Sequence, residues 1–231
     1  MTPETLEQII ESRGLRRQVA LVTALETGEQ RVIARDEAAD DTLAQVLGEA
    51  FRTGESAVHQ VPEGEFFIHV FNPRPRLVLI GAVHIAQALI PIARAAGYDI
   101  VVIDPRGAFA TADRFPDVKL HAEWPDEVIP AIGFDRQTAV LALTHDPKID
   151  DPALFAALKS KVFYIGALGS KKTQAKRHER LKAAGFSDEA IARIHGPIGI
   201  DIGARGPVEI AIAIMAEITR VLRRGEAHGL R

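Results

Sequence analysis

Beyond residue 75 the chain reads as short apolar runs separated by longer mixed segments: RLVLI, DIVVID, VKLHAE, TAVLALT and VFYIG. Runs continuously rich in Val, Ile and Leu, without alternation, describe strands buried on both faces. That is the condition of a parallel sheet covered by helices on each side. The intervening segments predict helices over 84–96, 152–159, 171–184 and 207–224, the second started by Asp151 as N-cap with Pro152 at its first helical position. Pro91 predicts a kink in the first of them. This half reads as a doubly wound α/β domain. Residues 1 to about 71 follow another pattern: a short helix, two strands around Thr27-Gly28-Glu29, a helix over 41–52, and two strands around Glu63-Gly64. Asn72-Pro73-Arg74-Pro75 favours an extended connection. The expected division is a small α+β domain over 1–72 and the α/β domain over 73–231.

Charge and composition narrow the function classes. The 28 lysines and arginines against 31 acids give a net charge of −3, so the whole chain has no attraction for nucleic acid or an anionic membrane, and any anion site must be local. With no cysteine, disulfides, thiolate metal sites and a cysteine nucleophile are excluded. The start, MTPETLEQIIESRG, is acidic and lacks the basic-then-apolar order of a secretory leader. The most apolar stretch, 77–97, is interrupted by Gly81, His84, Gln87, Pro91 and Arg94. A cytoplasmic protein without a membrane or nucleic-acid partner is expected. The last helix is apolar on most faces, which predicts burial or contact with a second copy in a homodimer. Trp124 is expected to pack structurally.

Four constellations carry candidate chemistry, each at the end of a predicted strand or in a glycine loop. The first strand ends in Gly81-Ala82-Val83-His84, and Asp104 closes the second strand about 20 residues on, as in a dinucleotide fingerprint with an acid for a ribose hydroxyl. Val83 stands where that fingerprint wants a second glycine, and its branched side chain would crowd a pyrophosphate. The alternative is a strand-turn-helix connection that binds nothing. Arg106 could pair with a phosphate or a nearby carboxylate. The fourth strand delivers Thr144-His145-Asp146, where His145 and Asp146 are candidates for acid and base work or simply for capping the next turn.

The fifth strand runs through Gly166 and Gly169 to Ser170, Lys171 and Lys172, which place amide donors and positive charge at a helix start, an anion cradle. Lys176, Arg180 and Lys182 further along are read as a solvated helix face. The absence of interleaved aromatics argues against a nucleic-acid groove. A final loop holds His195, Gly199, Asp201 and Arg205 among apolar residues, and either lines a site or packs under the last helix. No metal-ligand set is expected.

Together GAVHIA, VVIDPRGAF with RFP, LTHD, YIGALGSKK and HGPIGIDIGARGPVEIAIAIMAEI resemble the XdhC/CoxI family, accessory proteins of molybdenum hydroxylases such as xanthine dehydrogenase and carbon monoxide dehydrogenase. The resemblance spans about 74–224. It implies a Rossmann-like carboxyl domain that binds molybdenum cofactor, the molybdopterin complex, assists its sulfuration or maturation, and passes it to an apo-hydroxylase. Cofactor sulfuration or biosynthesis proteins are further implied partners. Many family members show GAGH at the first turn and carry Gly-Gly-Cys-x-Glu in their amino-terminal half; this chain has Val83 at the former and lacks the latter. Two other readings stay open. One is an NAD(P)-dependent oxidoreductase using His145 as proton donor; the other is a noncatalytic nucleotide-binding paralogue.

Overall fold

The computed structural model describes residues 1–225 in two compact units, one of Met1–Pro73 with Arg223–Gly225 and one of Arg74–Leu222. The first contains α1 (Pro3–Gly14), β1 (Val19–Ala24), β2 (Gln30–Ala34), α2 (Ala44–Thr53), β3 (Ala57–Val61) and β4 (Gly64–Phe71). Its strands form an antiparallel sheet in the order β2-β1-β4-β3. β1 is apolar along most of its length because both faces of the sheet are covered. Ala20 and Val22 join Leu47, Phe51 and Ile68 on one side, while Val19 and Leu21 join Ile9 of α1 on the other. The helix expected from 41 begins instead at Ala44. Asp41 is extended, and its carboxylate accepts from Leu43 N at 2.8 Å and pairs with Arg31, so it organises a turn ahead of the helix.

The second unit runs β5 (Arg76–Ile80), α3 (His84–Ala95), β6 (Asp99–Ile103), β7 (Lys119–His121), α4 (Pro125–Ile132), β8 (Thr138–Ala142), α5 (Pro147–Leu158), β9 (Tyr164–Ala167), α6 (Lys171–Ala183), α7 (Asp188–Ala192), β10 (Ile194–His195) and α8 (Pro207–Arg224). All six strands are parallel, in the order β10-β9-β8-β5-β6-β7. Successive side chains of each strand enter opposite layers. Leu77 and Leu79 of β5 pack with α3 and α8, whereas Val78 and Ile80 pack with α4 and α5. Every residue of β5 and β8 is buried, which is why their sequences do not alternate. Burial of Ala211, Ile214, Met215 and Ile218 in the core accounts for much of the apolar character of α8. Among the described residues no helix is long and apolar enough to cross a membrane.

Two expectations need correction. α5 starts five residues before the expected position, with Asp146 as N-cap accepting from Lys148 N and Pro147 at its first position. The dipeptide Asp-Pro occurs twice here, and the structure uses the first, leaving Asp151 and Pro152 inside the helix. α3 continues through Pro91, which is exposed. Trp124 is 44% exposed and precedes α4, so it is not a packing residue; α4 itself is marked by Pro125 and by Glu127, which accepts from Trp124 N at 3.2 Å.

Gly166 of β9 shows how tightly one layer closes. A Cβ built there would lie 2.4 Å from Ile198 Cδ1 and 2.8 Å from Tyr164 Cε1, both side chains being buried. Gly166→Ala is therefore expected to destabilise the protein by about 1–3 kcal/mol through overpacking, read as a lowered urea midpoint at unchanged slope. Wild-type stability in that variant would show that the layer has room to spare.

Candidate functional site

The strand order reverses between β5 and β8, and the crevice above their carboxyl ends is where open α/β sheets bind ligands. Two turns meet there. Gly81 adopts φ +117°, and a Cβ on it would sit 2.7 Å from Thr144 Cγ2, so glycine lets the turn after β5 abut the turn after β8. Ala82 N donates to Asp104 Oδ2 at 2.7 Å. Arg106 closes on the same carboxylate with its backbone N at 3.0 Å and its Nε and Nη2 at 2.9 and 2.8 Å. Asp104 is 0% exposed. Burial pushes its carboxyl up, but these donors from Arg106 and Ala82 outweigh that and hold it below the usual range. Both oxygens are thus engaged within the protein. The reading of Asp104 as a ribose anchor is corrected accordingly: it ties the first turn to the second strand. Arg106 is the carboxylate partner of the two options expected. Val83 is half-buried against the core at the N-cap of α3, and His84 is exposed. These residues do not fit a dinucleotide in its usual placement.

The second turn is held by a carboxylate that sequence reasoning overlooks. Asp150, in the first turn of α5 and 1% exposed, accepts from Thr144 N at 3.2 Å, Thr144 Oγ1 at 2.7 Å and His145 N at 3.1 Å. His145 takes φ +64°, uncommon for a residue with a side chain, and its ring is left exposed at the rim. Asp146 is spent as the N-cap of α5, and among the described residues no hydrogen bond joins it to the His145 ring. Burial raises the Asp150 carboxyl above its ordinary value against the pull of Thr144, Arg177 and His145. The nearest cation is Arg177, whose Nη2 lies 3.7 Å from Asp150 Oδ2.

Arg177 is itself 2% exposed, and it is the other residue that the sequence does not reveal. Its Nη2 donates to Leu168 O at 3.1 Å, and its Nη1 donates to Gln174 Oε1. Gln174 Nε2 in turn donates to Ala167 O at 2.9 Å and Gly169 O at 3.3 Å. α6 is therefore bolted to the turn after β9. Ser170 caps it by accepting from Thr173 N, and Gly169, at φ +132°, packs its backbone against the Thr173 side chain. Arg180, expected to be a solvated residue, instead grips Asp151 of α5 with Nε and Nη2 at 2.6 and 2.9 Å. Between α6 and the start of α5 lies a cleft of about 230 Å³, lined by His145, Asp150, Lys172, Lys176, Arg177 and Arg180 among others.

The glycine loop before α8 has a different character. His195 stacks on Tyr164 at 4.6 Å between centroids, with its Nδ1 3.3 Å from Glu217 Oε1. Glu217 Oε2 accepts from Tyr164 OH at 2.7 Å and Gly199 N at 2.8 Å. Burial pushes the Glu217 carboxyl up, but its donors His195, Tyr164 and Gly199 outweigh that and hold it low; the Tyr164 hydroxyl is driven well up by burial and by the adjacent Glu217 charge. A Cβ on Gly199 would come within 3.2 Å of Ala213 backbone. Of the two readings of this loop, packing under the last helix therefore describes His195 and Gly199. Asp201 is exposed and accepts from Gly203 N, closing a local turn. The rim cleft thus gathers His145 and Lys172, with Thr144 beneath, while Asp104, Gly166, His195 and Gly199 serve packing. Lys171 is exposed and outside the cleft. Among the described residues no group of three or more His, Asp or Glu is arranged to hold a metal.

A six-stranded parallel sheet in this order, flanked by helices on both faces, defines a Rossmann-type domain. Residues 77–218 match the XdhC Rossmann domain, and the chain belongs to the XdhC family. It is 32% identical to YqeB of Escherichia coli strain K12 over 237 residues, 95% of this chain and 43% of that protein. Identity to a probable xanthine dehydrogenase subunit of Bacillus subtilis strain 168 is 31% over 68% of this chain and 46% of the relative. To the molybdenum cofactor insertion chaperone PaoD of Escherichia coli strain K12 it is 34% over 65% of this chain and 41% of the relative. The chain thus spans less than half the length of each of these relatives. A crystal structure described as a xanthine dehydrogenase from Bacillus halodurans shares the fold, with TM-score 0.67 and 23% identity over 97% of this chain and 65% of that one.

The Asp104 knot supplies a test by pH. Asp104→Asn is expected to cost about 1.5–3 kcal/mol at neutral pH, as for hydrogen bonds to a charged group. Because the folded carboxyl titrates below its unfolded value of about 3.9, its contribution is complete above that pH and fades as the pH falls through the lower folded value. Urea unfolding should show wild type and variant converging in acid; a gap independent of pH would mean the carboxylate charge contributes nothing.

Proposed function

We propose that this chain is a molybdenum cofactor binding accessory protein, which holds the molybdopterin complex as cargo and passes it to an apo molybdenum hydroxylase. The observation that carries the reading is the cationic cleft at the carboxyl rim of an XdhC-type domain, in a chain 34% identical to a molybdenum cofactor insertion chaperone over their shared region. The cargo carries a phosphate and a flat heterocycle with many hydrogen-bonding edges. His145 and Lys172, beside the Thr144 turn, offer it polar and cationic contacts. In this reading the attachment is noncovalent, built from many modest contacts that can be released to the client, and with no cysteine in the sequence no thiolate bond contributes. In this reading the protein performs no turnover of its own. The oxidoreductase alternative loses its main support, since the carboxylate it needs for a ribose is already satisfied by Arg106 and Ala82.

Purified chain incubated with molybdopterin is expected to retain it through gel filtration, scored by fluorescence of the oxidised pterin, and to raise the activity of a molybdenum hydroxylase prepared without cofactor. Folded protein that neither retains the pterin nor activates the apoenzyme would refute the proposal, and tight NAD(P) binding with hydride transfer would replace it.

A further inference from the structure

The cleft between α5 and α6 has an electrostatic asymmetry that its structural role does not explain. Two of its cations have partners: Asp150 faces Arg177 at 3.7 Å and Asp151 holds Arg180 at 2.6 Å. Lys172 and Lys176 have no ion pair among the described residues, so the cluster carries a surplus of two positive charges. These lysines lie four positions apart on α6, and one turn of helix therefore aims both at the same opening. Arg177 is fixed in the wall between them and Asp150, and its Nε, though buried, has no hydrogen-bond partner. A buried guanidinium with an idle donor, next to two unanswered ammonium groups and an exposed imidazole, lacks an acceptor. Asp150 does not answer this donor: it approaches Arg177 only at Nη2, 3.7 Å away, while Thr144 and His145 supply its hydrogen bonds.

We propose that this cleft is a phosphate site, taking the phosphoryl end of a small molecule, with Lys172 and Lys176 as its adjustable cations and Arg177 as its fixed one. Its volume decides the size of the guest. At about 230 Å³ it falls below the roughly 300–1,000 Å³ that enclose a whole ligand, so it grips one charged end while the rest of the molecule lies along the rim. His145, turned outward by its left-handed backbone, stands where the next atom of the guest emerges. The site is lined by side chains of α6 and the start of α5, and the glycine turn at 166–169 does not itself line it. Only the identity of the guest rests on the cofactor reading above; the anion site itself does not.

Calorimetry on the full chain with inorganic phosphate and with pyrophosphate tests it. Wild type should bind, and the double variant Lys172→Ala, Lys176→Ala should lose affinity by about tenfold or more, in line with two charge-assisted contacts. Both lysines are exposed, so the variant keeps its fold. Lys171→Ala, one residue outside the cleft, should bind like wild type. Absence of binding to wild type at millimolar pyrophosphate, or an equal loss in Lys171→Ala, would overturn the site. Equal affinities for the two probes would assign a phosphomonoester and tighter pyrophosphate a diphosphate bridge, either of which supports it. A chain that binds pyrophosphate but not molybdopterin keeps this site and refutes the cargo proposal. Unchanged molybdopterin affinity in a double lysine variant that has lost pyrophosphate keeps both the site and the cargo and removes molybdopterin as this site's guest.

Discussion

One buried carboxylate organises the functional rim. Asp150 draws the turn after β8 down onto α5 through three hydrogen bonds and stands opposite a buried arginine on α6. Taking such an ion out of water costs several kcal/mol, and only saturated hydrogen bonding offsets it. The geometry that achieves saturation also forces His145 into a left-handed backbone and directs its ring to solvent. Arg177 is held by the same logic, its Nη groups spent on Leu168 O and Gln174 Oε1, so the position of α6 relative to β9 is fixed by polar contacts inside an otherwise apolar layer.

Glu217 plays the corresponding part beyond β9. It gathers Tyr164, His195 and Gly199 into one network, which makes the loop before α8 a packed element. The two carboxylates differ in what they leave over. Around Glu217 the donors are consumed, and the histidine ring lies flat on a tyrosine. Around Asp150 the lysines of α6 remain unmatched. The rim therefore has one closed side and one electropositive side.

Much of the fold is legible because physics makes it redundant. The five apolar runs from RLVLI to VFYIG all contain strands; β5, β6, β8 and β9 are buried along nearly all their length and so cannot be polar, whereas β7 is an edge strand with Lys119 exposed. The start of α5 is misread from sequence because Asp-Pro occurs at both 146 and 151, and only tertiary contact with Arg180 removes Asp151 from the capping role. The site is less legible. Gly81 and Gly166 signal close approach, but sequence does not say whether the visitor is a ligand or another part of the chain; here it is Thr144 and Ile198. Lys176 and Arg180 look like ordinary solvated positions because their neighbours across the cleft come from α5, well upstream. Glu217 leaves one faint signal, a charge whose neighbours one turn away include apolar Ala213, Ile214 and Val221, whereas Arg177 sits among polar Thr173, Gln174 and Arg180 and leaves none.

Val83 connects these observations. In a dinucleotide fold the first turn accepts phosphate because glycine exposes its backbone and the acid on the second strand is free for a sugar. Here the glycine is replaced by a β-branched residue packed against the core, and the acid is locked by Arg106 and Ala82 N. Both changes close the region above β5 and β6 to a phosphate. The free positive charge of this unit's rim lies on the opposite side of the reversal point, over β8 and β9, where Lys172 and Lys176 face the His145 turn. The proposed anion site thus lies on the helix after the fifth strand and not at the first strand's turn.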